Sequence, residues 1–236
     1  MKEQIQDSLN VSSQLLRHVA KAMREYILWR DVNMYKAETV VILDFETTGL
    51  SPDNGDRAIE IGAVRIEDGE ITEHFQELMN PGQRISHFIE DYTGISNGML
   101  KNASPCKEVM HKFADFISGY NLVAHNASFD KRFLDAELGK ISRKYSGHFA
   151  CSMLLARRIY QEAPNHKLGT LVKYANIPSE GVFHRALYDS KMTAKLWLAM
   201  LNYIERQYSI ESIPFALIQK LAKTPKKAVC KFLEQR

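Results

Sequence analysis

Apolar positions near the start of the chain recur at helical steps. Leu9 and Leu16 fall seven apart, Leu16, Val19, Met23 and Ile27 follow at three or four, and Leu15 lies on the same stripe. No Pro or Gly interrupts them, so the spacing predicts a helix over 3–30. The period then changes. Thr39-Val40-Val41-Ile42-Leu43 is a short, mostly β-branched run ending at Asp44, the pattern of a buried central strand. Two further strand-like runs, 59–66 and 70–75, flank Asp68-Gly69, a strong hairpin signal. Three consecutive antiparallel strands are expected. Pro81-Gly82, Thr93-Gly94 and Asn97-Gly98 mark a looped region.

Ser104-Pro105 offers an N-cap and a first-turn proline to a helix carrying Val109, Phe113, Phe116 and Ile117. Asn121-Leu122-Val123-Ala124-His125 reads as another buried strand, with Ser128 as a cap for the helix holding Phe129, Phe133 and Leu134. Helices are expected near 152–161 and 167–175. A longer one, about 186–206, carries Leu187, Ala194, Leu198 and Leu201 on one face. After Ile213-Pro214 a short helical tail bears Lys220, Lys223, Lys226, Lys227 and Lys231. Such lysines ordinarily form a solvated face, with contact to a nucleic-acid backbone as the sharper alternative.

Composition narrows the class without choosing a function. The chain has 236 residues, 45% hydrophobic and 25% charged, enough for one substantial α/β domain with helical appendages. No apolar run approaches the ~18 residues that span a bilayer, and the opening Met1-Lys2-Glu3-Gln4 lacks the order of a secretory signal, so a cytoplasmic protein is expected. Cys106, Cys151 and Cys230 are odd in number and widely spaced, which suits reduced thiols rather than disulfides or a zinc cluster. The net charge of +3 is compatible with a polyanionic partner but does not require one.

Candidate chemistry lies in acidic residues at element ends. Asp44 and Glu46 are two apart on a strand, so both project to one face with Phe45 opposite. Like charges held that close favour protonation unless a cation lies between them, and a divalent metal is the simplest one. A polar strand end in water is the plain alternative. Thr47, Thr48 and Gly49 could present hydroxyl and N–H donors to a sugar hydroxyl, or merely build a turn. Asp130 falls in a first helical turn, where the dipole favours it, yet could reach across the sheet edge with Asn126 orienting it. Asp189 sits early in the long helix. His184 follows Gly181 in a loop, and histidine, with an ordinary pKa of about 6.5, is the natural base for water at neutral pH.

Taken together, Asp44-Phe45-Glu46-Thr47-Thr48-Gly49, His125-Asn126-x-x-Phe129-Asp130 and His184-x4-Asp189 resemble the three motifs of the DEDDh exonuclease superfamily, in its order and at separations of about 84 and then 54 positions. The chain is most similar there to the proofreading epsilon subunit of bacterial DNA polymerase III and its stand-alone relatives. Ile59-Glu60-Ile61-Gly62-Ala63-Val64, Asn80-Pro81 and Thr93-Gly94-Ile95 add to the likeness, which covers roughly 38–205. It implies an RNase H-like α/β domain, a mixed five-stranded sheet flanked by helices, over 38–206. An N-terminal helical extension over 1–37 and a helical basic tail over 207–236 lie outside it.

The resemblance also implies metal-dependent 3′→5′ hydrolysis of phosphodiester bonds at DNA 3′ ends, with two Mg²⁺ or Mn²⁺ ions. Asp44, Glu46 and Asp189 would hold the ion that activates water, Asp44 would bridge to the second, and Asp130 would support that side through waters. His184 would take the proton, Thr47 and Thr48 would receive the terminal 3′-hydroxyl, and Leu50 would wedge between the last two bases. Phe129 and Phe183 read as packing residues. An RNA exonuclease resembling RNase T or oligoribonuclease is the alternative within catalysis, and a non-catalytic nucleic-acid-binding domain the alternative outside it. A polymerase or repair complex is the partner implied; no clamp-binding motif stands out in the tail, so a free-standing nuclease fits equally well.

Overall fold

The computed structural model describes Lys21, residues 36–181 and residues 184–236. The helix expected over 3–30, Lys21 apart, and Phe183 lie outside the described residues. Six strands make one sheet: β1 (Val40–Thr47), β2 (Ala58–Glu67), β3 (Glu70–Asn80), β4 (Ser104–Pro105), β5 (Asn121–Ala124) and β6 (Phe149–Cys151), in the order β4-β3-β2-β1-β5-β6. The β1–β2 and β2–β3 pairs are antiparallel, and the other three pairs are parallel. The mixed α/β sheet is as expected, with β4 as one strand more. Asp68 and Gly69 both have positive φ, 48° and 84°, as a two-residue hairpin turn with matching twist requires.

Nine α-helices are described over their whole length: α1 (His87–Thr93), α2 (Asn97–Lys101), α3 (Cys106–Phe116), α4 (Ser128–Lys140), α5 (Ser152–Ile159), α6 (Leu168–Tyr174), α7 (Ala186–Tyr208), α8 (Phe215–Lys223) and α9 (Val229–Glu234). The expected loop over 81–98 therefore holds α1 and the start of α2. Both are too short to show a period, but the Ser86 and Ser96 hydroxyls accept from the N–H groups of Ile89 and Met99, and Gly94 closes α1 at φ 69°. Ser104-Pro105 does not open α3 as expected. It pairs with Met79-Asn80 at the sheet edge, where a proline costs no ladder bond, and Pro105 is the cap. Ser128 is likewise the first residue of α4, preceded by Ala127, rather than its cap.

The period of two in β1 divides the core. Val41, Leu43 and Phe45 join Phe113 of α3 and Phe133 and Leu134 of α4 on one face. Val40 and Ile42 join Leu196, Trp197 and Met200 of α7 on the other. Residues 207–236, expected as a separate tail, share that second core: Phe215, Ile218, Leu221, Val229 and Leu233 all pack into it. The apolar side of α8 is therefore buried, and its lysines Lys220 and Lys223 face solvent.

Candidate metal centre

Alternation along β1 puts Asp44 and Glu46 on the α7 side, just beyond Ile42. For α7 to reach them, its first turn must lie almost against β2. Gly62, the cross-strand partner of Asp44, makes that approach possible. A Cβ there would stand 2.1 Å from the backbone of Ala186 and of Leu187. The Ser190 hydroxyl donates to the Gly62 carbonyl at 2.8 Å, tying helix to strand. Glu60, fully buried two residues earlier, accepts from the Ala186 N–H at 3.1 Å and from the Arg185 guanidinium at 2.8 and 3.2 Å. Gln76 donates to it as well. A charge so deep in the fold is tolerable because donors surround it. Asp189, one turn into α7, is thereby delivered over the end of β1.

One carboxylate oxygen from each of Asp44, Glu46 and Asp189 lies within 4.8 Å of the others. Asp130 is the next neighbour. It crosses the sheet edge from the first turn of α4, held by the Phe45 N–H at 3.1 Å rather than by Asn126. Asn126 instead adopts φ 67°, and its carbonyl accepts from Phe129 in the turn that starts α4. Burial, with the other carboxylates, raises the Asp44 pKa well above the usual range. Burial chiefly pushes Glu46 up to about 8, Asp130 to about 7 and Asp189 to about 6. Asp189 Oδ2 accepts from the His184 N–H at 2.8 Å, while its Oδ1 is buried with no hydrogen-bond partner. An orphaned acceptor among crowded, hard oxygen donors fits a divalent cation.

These shifts carry a testable sign. The folded state holds its protons to higher pH than the unfolded chain, so the cluster's contribution to stability is present below about pH 4 and is lost as pH rises through 6 to 8. In chelator, Glu46→Gln should melt above the native protein by a margin that grows from pH 5.5 to 8.5, reaching on the order of 5 °C. Mn²⁺ should restore the native protein more at pH 8.5 than at pH 5.5. A margin that shrinks with pH would mean the carboxylates are not crowded as described.

The other expected residues divide. Thr47 is buried and borders the cluster, its hydroxyl donating to the Gly49 carbonyl at 2.6 Å. Thr48 does not border it: its hydroxyl faces Asp56 and accepts from the Arg57 N–H at 3.0 Å. A register shift between Glu46 and Thr47 breaks the alternation and turns Thr48 aside. Leu50 is 78% exposed at the rim, and Phe129 packs against Phe133. His184 is exposed at φ 71°, its ring 4.1 Å from that of Tyr92. Tyr92 in turn stacks on Phe88, itself 71% exposed.

Sequence reasoning missed Phe88 and Tyr92. Aromatic residues in an apparently looped region that do not fit a core stripe were the available signal. It also gave His125 no role of its own. That ring is neutral, burial lowering its pKa to about 4; its Nε2–H donates to the His166 carbonyl at 3.0 Å and its Nδ1 accepts from the Ser152 hydroxyl at 2.9 Å.

A family profile described as Exonuclease matches residues 41–197. The chain is 39% identical over 173 residues, 73% of its length, to a PolC-type DNA polymerase III of Caldanaerobacter subterraneus subsp. tengcongensis. Identity is again 39%, over 171 residues, to that of Bacillus subtilis. It spans 12% of the length of either relative. Among solved structures, Exonuclease X in complex with 5′ overhanging duplex DNA superposes with a TM-score of 0.60 at 26% identity, over 78% of this chain and 99% of that one. The nuclease domain of 3′hExo, a DEDDh family member bound to rAMP, shares the fold at a TM-score of 0.61 and 23% identity, over 71% of this chain and 92% of that one.

Proposed function

Because the chain belongs to the exonuclease family, we propose that it is of the DEDDh type, hydrolyses the 3′-terminal phosphodiester bond of a single-stranded or frayed DNA strand and releases nucleoside monophosphates. The observation that carries this is the trio Asp44, Glu46 and Asp189, crowded at the end of β1 with one carboxylate oxygen unpartnered. Asp44, Glu46 and Asp189 would hold one Mg²⁺ or Mn²⁺ ion, and Asp44 with Asp130 a second. Bound there, the ions would neutralise phosphate charge, acidify the attacking water and stabilise the leaving oxygen.

The chain's own groups do the rest. His184, exposed beside the cluster and backed by the Tyr92 ring, accepts the proton of the attacking water. Thr47 and the turn at Gly49 receive the 3′-hydroxyl. Leu50 and Phe88 present apolar faces to the terminal base across a cavity of about 440 Å³ that also reaches Asp130. DNA is favoured over RNA by the likeness to the DNA-bound Exonuclease X and the PolC polymerases. The PolC relatives also support a polymerase as partner, which copurification would test.

The test pairs matched DNA and RNA oligonucleotides, labelled at the 5′ end, with Mn²⁺. Stepwise shortening of DNA from the 3′ end is expected. Preferential shortening of RNA would transfer the site to an RNA substrate, and no metal-dependent shortening of either would leave a binding domain without catalysis. His184→Ala should retain Mn²⁺ binding and lose ~10²–10⁴-fold in turnover. Unaltered turnover would remove His184 from the mechanism.

A further inference from the structure

The carboxylates occupy the junction of two cavities. One is the 440 Å³ arm past Glu46, Thr47, Leu50 and Phe88. The other is a cleft of about 1070 Å³ that leaves Asp44 and Asp189 in a different direction, past Met153, to α5 and α6. Asp44, Tyr92, His125, Asn126, His184 and Asp189 border both. With a terminal nucleotide in one arm, the other is an open path for the remainder of a strand.

The far wall of the larger cleft has a distinct character. Arg157 in the last turn of α5, Lys167 at the cap of α6 and Lys173 in its last turn all line it, and all are exposed. Among the described residues, the cleft is lined by no acidic side chain other than Asp44 and Asp189 at its inner end. Salt bridges occupy Arg57, Arg65, Arg143 and Arg185 elsewhere, but none involves Arg157, Lys167 or Lys173 among the described residues. In a chain of 31 basic and 28 acidic residues, three cations along one cleft wall with no salt-bridge partner among the described residues are a local concentration of charge.

The wall is also fixed in position. His125, at the end of β5, holds the His166 carbonyl through Nε2–H, next to Lys167. The His166 ring bonds the Tyr160 carbonyl at 3.1 Å, and Asn165 Oδ1 accepts from the Lys167 N–H at 3.0 Å. The first of these bonds ties the segment that carries Lys167 to the same sheet that carries Asp44.

We propose that Arg157, Lys167 and Lys173 form a second binding subsite, for the phosphate backbone of the strand upstream of the scissile bond. The proposal rests on the nucleic-acid reading of the metal centre and assigns the larger cleft to a sequence-independent grip. Backbone phosphates are recognised by unpaired Lys and Arg at any base sequence, and the grip weakens as salt rises. A terminal nucleotide held at the metal centre is then presented by a strand anchored several residues away.

The test compares the native protein with the triple variant Arg157→Gln, Lys167→Gln, Lys173→Gln, after melting curves establish that both are folded. Two substrates are used with Mn²⁺ across 50–250 mM NaCl: a 15-nucleotide single strand, and the p-nitrophenyl ester of thymidine 5′-monophosphate, which has no upstream strand. The loss in kcat/KM on the oligonucleotide should exceed the loss on the ester at least ~10-fold. The slope of log binding against log salt should flatten by about 2, given ~0.7 per phosphate contact on single strands. Equal losses on the two substrates, or an unchanged salt slope, would overturn the subsite while leaving the exonuclease reading intact. Binding of the fluorescent strand in Ca²⁺, followed by anisotropy, separates the two ideas from the other side. Salt-sensitive binding that needs the three cations, without hydrolysis by the native protein, would sink the exonuclease reading and keep the subsite.

Discussion

Asp44→Asn should lose hydrolysis by on the order of 10³-fold or more and, in chelator, should melt above the native protein. Both effects have one cause. Asp44 lies amid Asp130, Glu46 and Asp189, and its carboxyl is driven toward protonation by burial and by those neighbours. Without a cation, that crowding opposes folding, so removing one charge relieves it. With a cation, the same charge is a ligand. Charge stabilisation at a phosphoryl centre amounts to several kcal/mol, at 1.36 kcal/mol per decade of rate. Single-turnover hydrolysis with Mn²⁺ and calorimetry in chelator read the two effects separately. Hydrolysis within tenfold of native would show that Asp44 holds no ion needed for the reaction. A lower melting point in chelator would show that the cluster is stabilising as it stands.

Gly62→Ala is the second large effect, and it acts at a residue that touches no substrate. The new methyl would lie 2.1 Å from the Ala186 and Leu187 backbone, too close for any rotamer to relieve. Backbone is what must yield, so α7 lifts from β2. Overpacking of this kind costs about 1–3 kcal/mol, which a domain of this size can survive. The consequence for chemistry is larger in proportion. Asp189 and His184 ride on the first turn of α7 and the residues before it, and a displacement near 1 Å at such groups costs on the order of 10²-fold. Melting curves should place the variant a few degrees below the native protein, while turnover falls about a hundredfold. Native turnover in a folded variant would mean that the approach of α7 to β2 does not set the site.

The same contact explains a motif that sequence reasoning could quote but not interpret. In Ile59-Glu60-Ile61-Gly62, the isoleucines fill the core on one side of β2 and beside α2, Glu60 binds Arg185 and the Ala186 N–H, and Gly62 admits α7. Glu60 and Ala186 are 126 positions apart. No local propensity couples residues at that distance, so the sequence could offer the glycine and the glutamate only as isolated oddities: a small residue and a charge inside an apolar strand.

Local periodicity was enough where an element was long enough to show it. The period of two in β1 placed Asp44 and Glu46 together with Phe45 opposite, and Asp68-Gly69 placed the hairpin, because backbone geometry alone fixes which way successive side chains face. Spacing could not show that the Thr48 hydroxyl faces Asp56 and Arg57, since that follows a shift in register after Glu46. Nor could it show Tyr92 against His184, the apolar side of α8 buried in the domain core, or three cations converging on one cleft. The identity of the acidic residues was therefore a property of the sequence. Their meeting around one oxygen-lined site was decided by tertiary packing, where a missing Cβ at Gly62 lets a helix descend onto a strand.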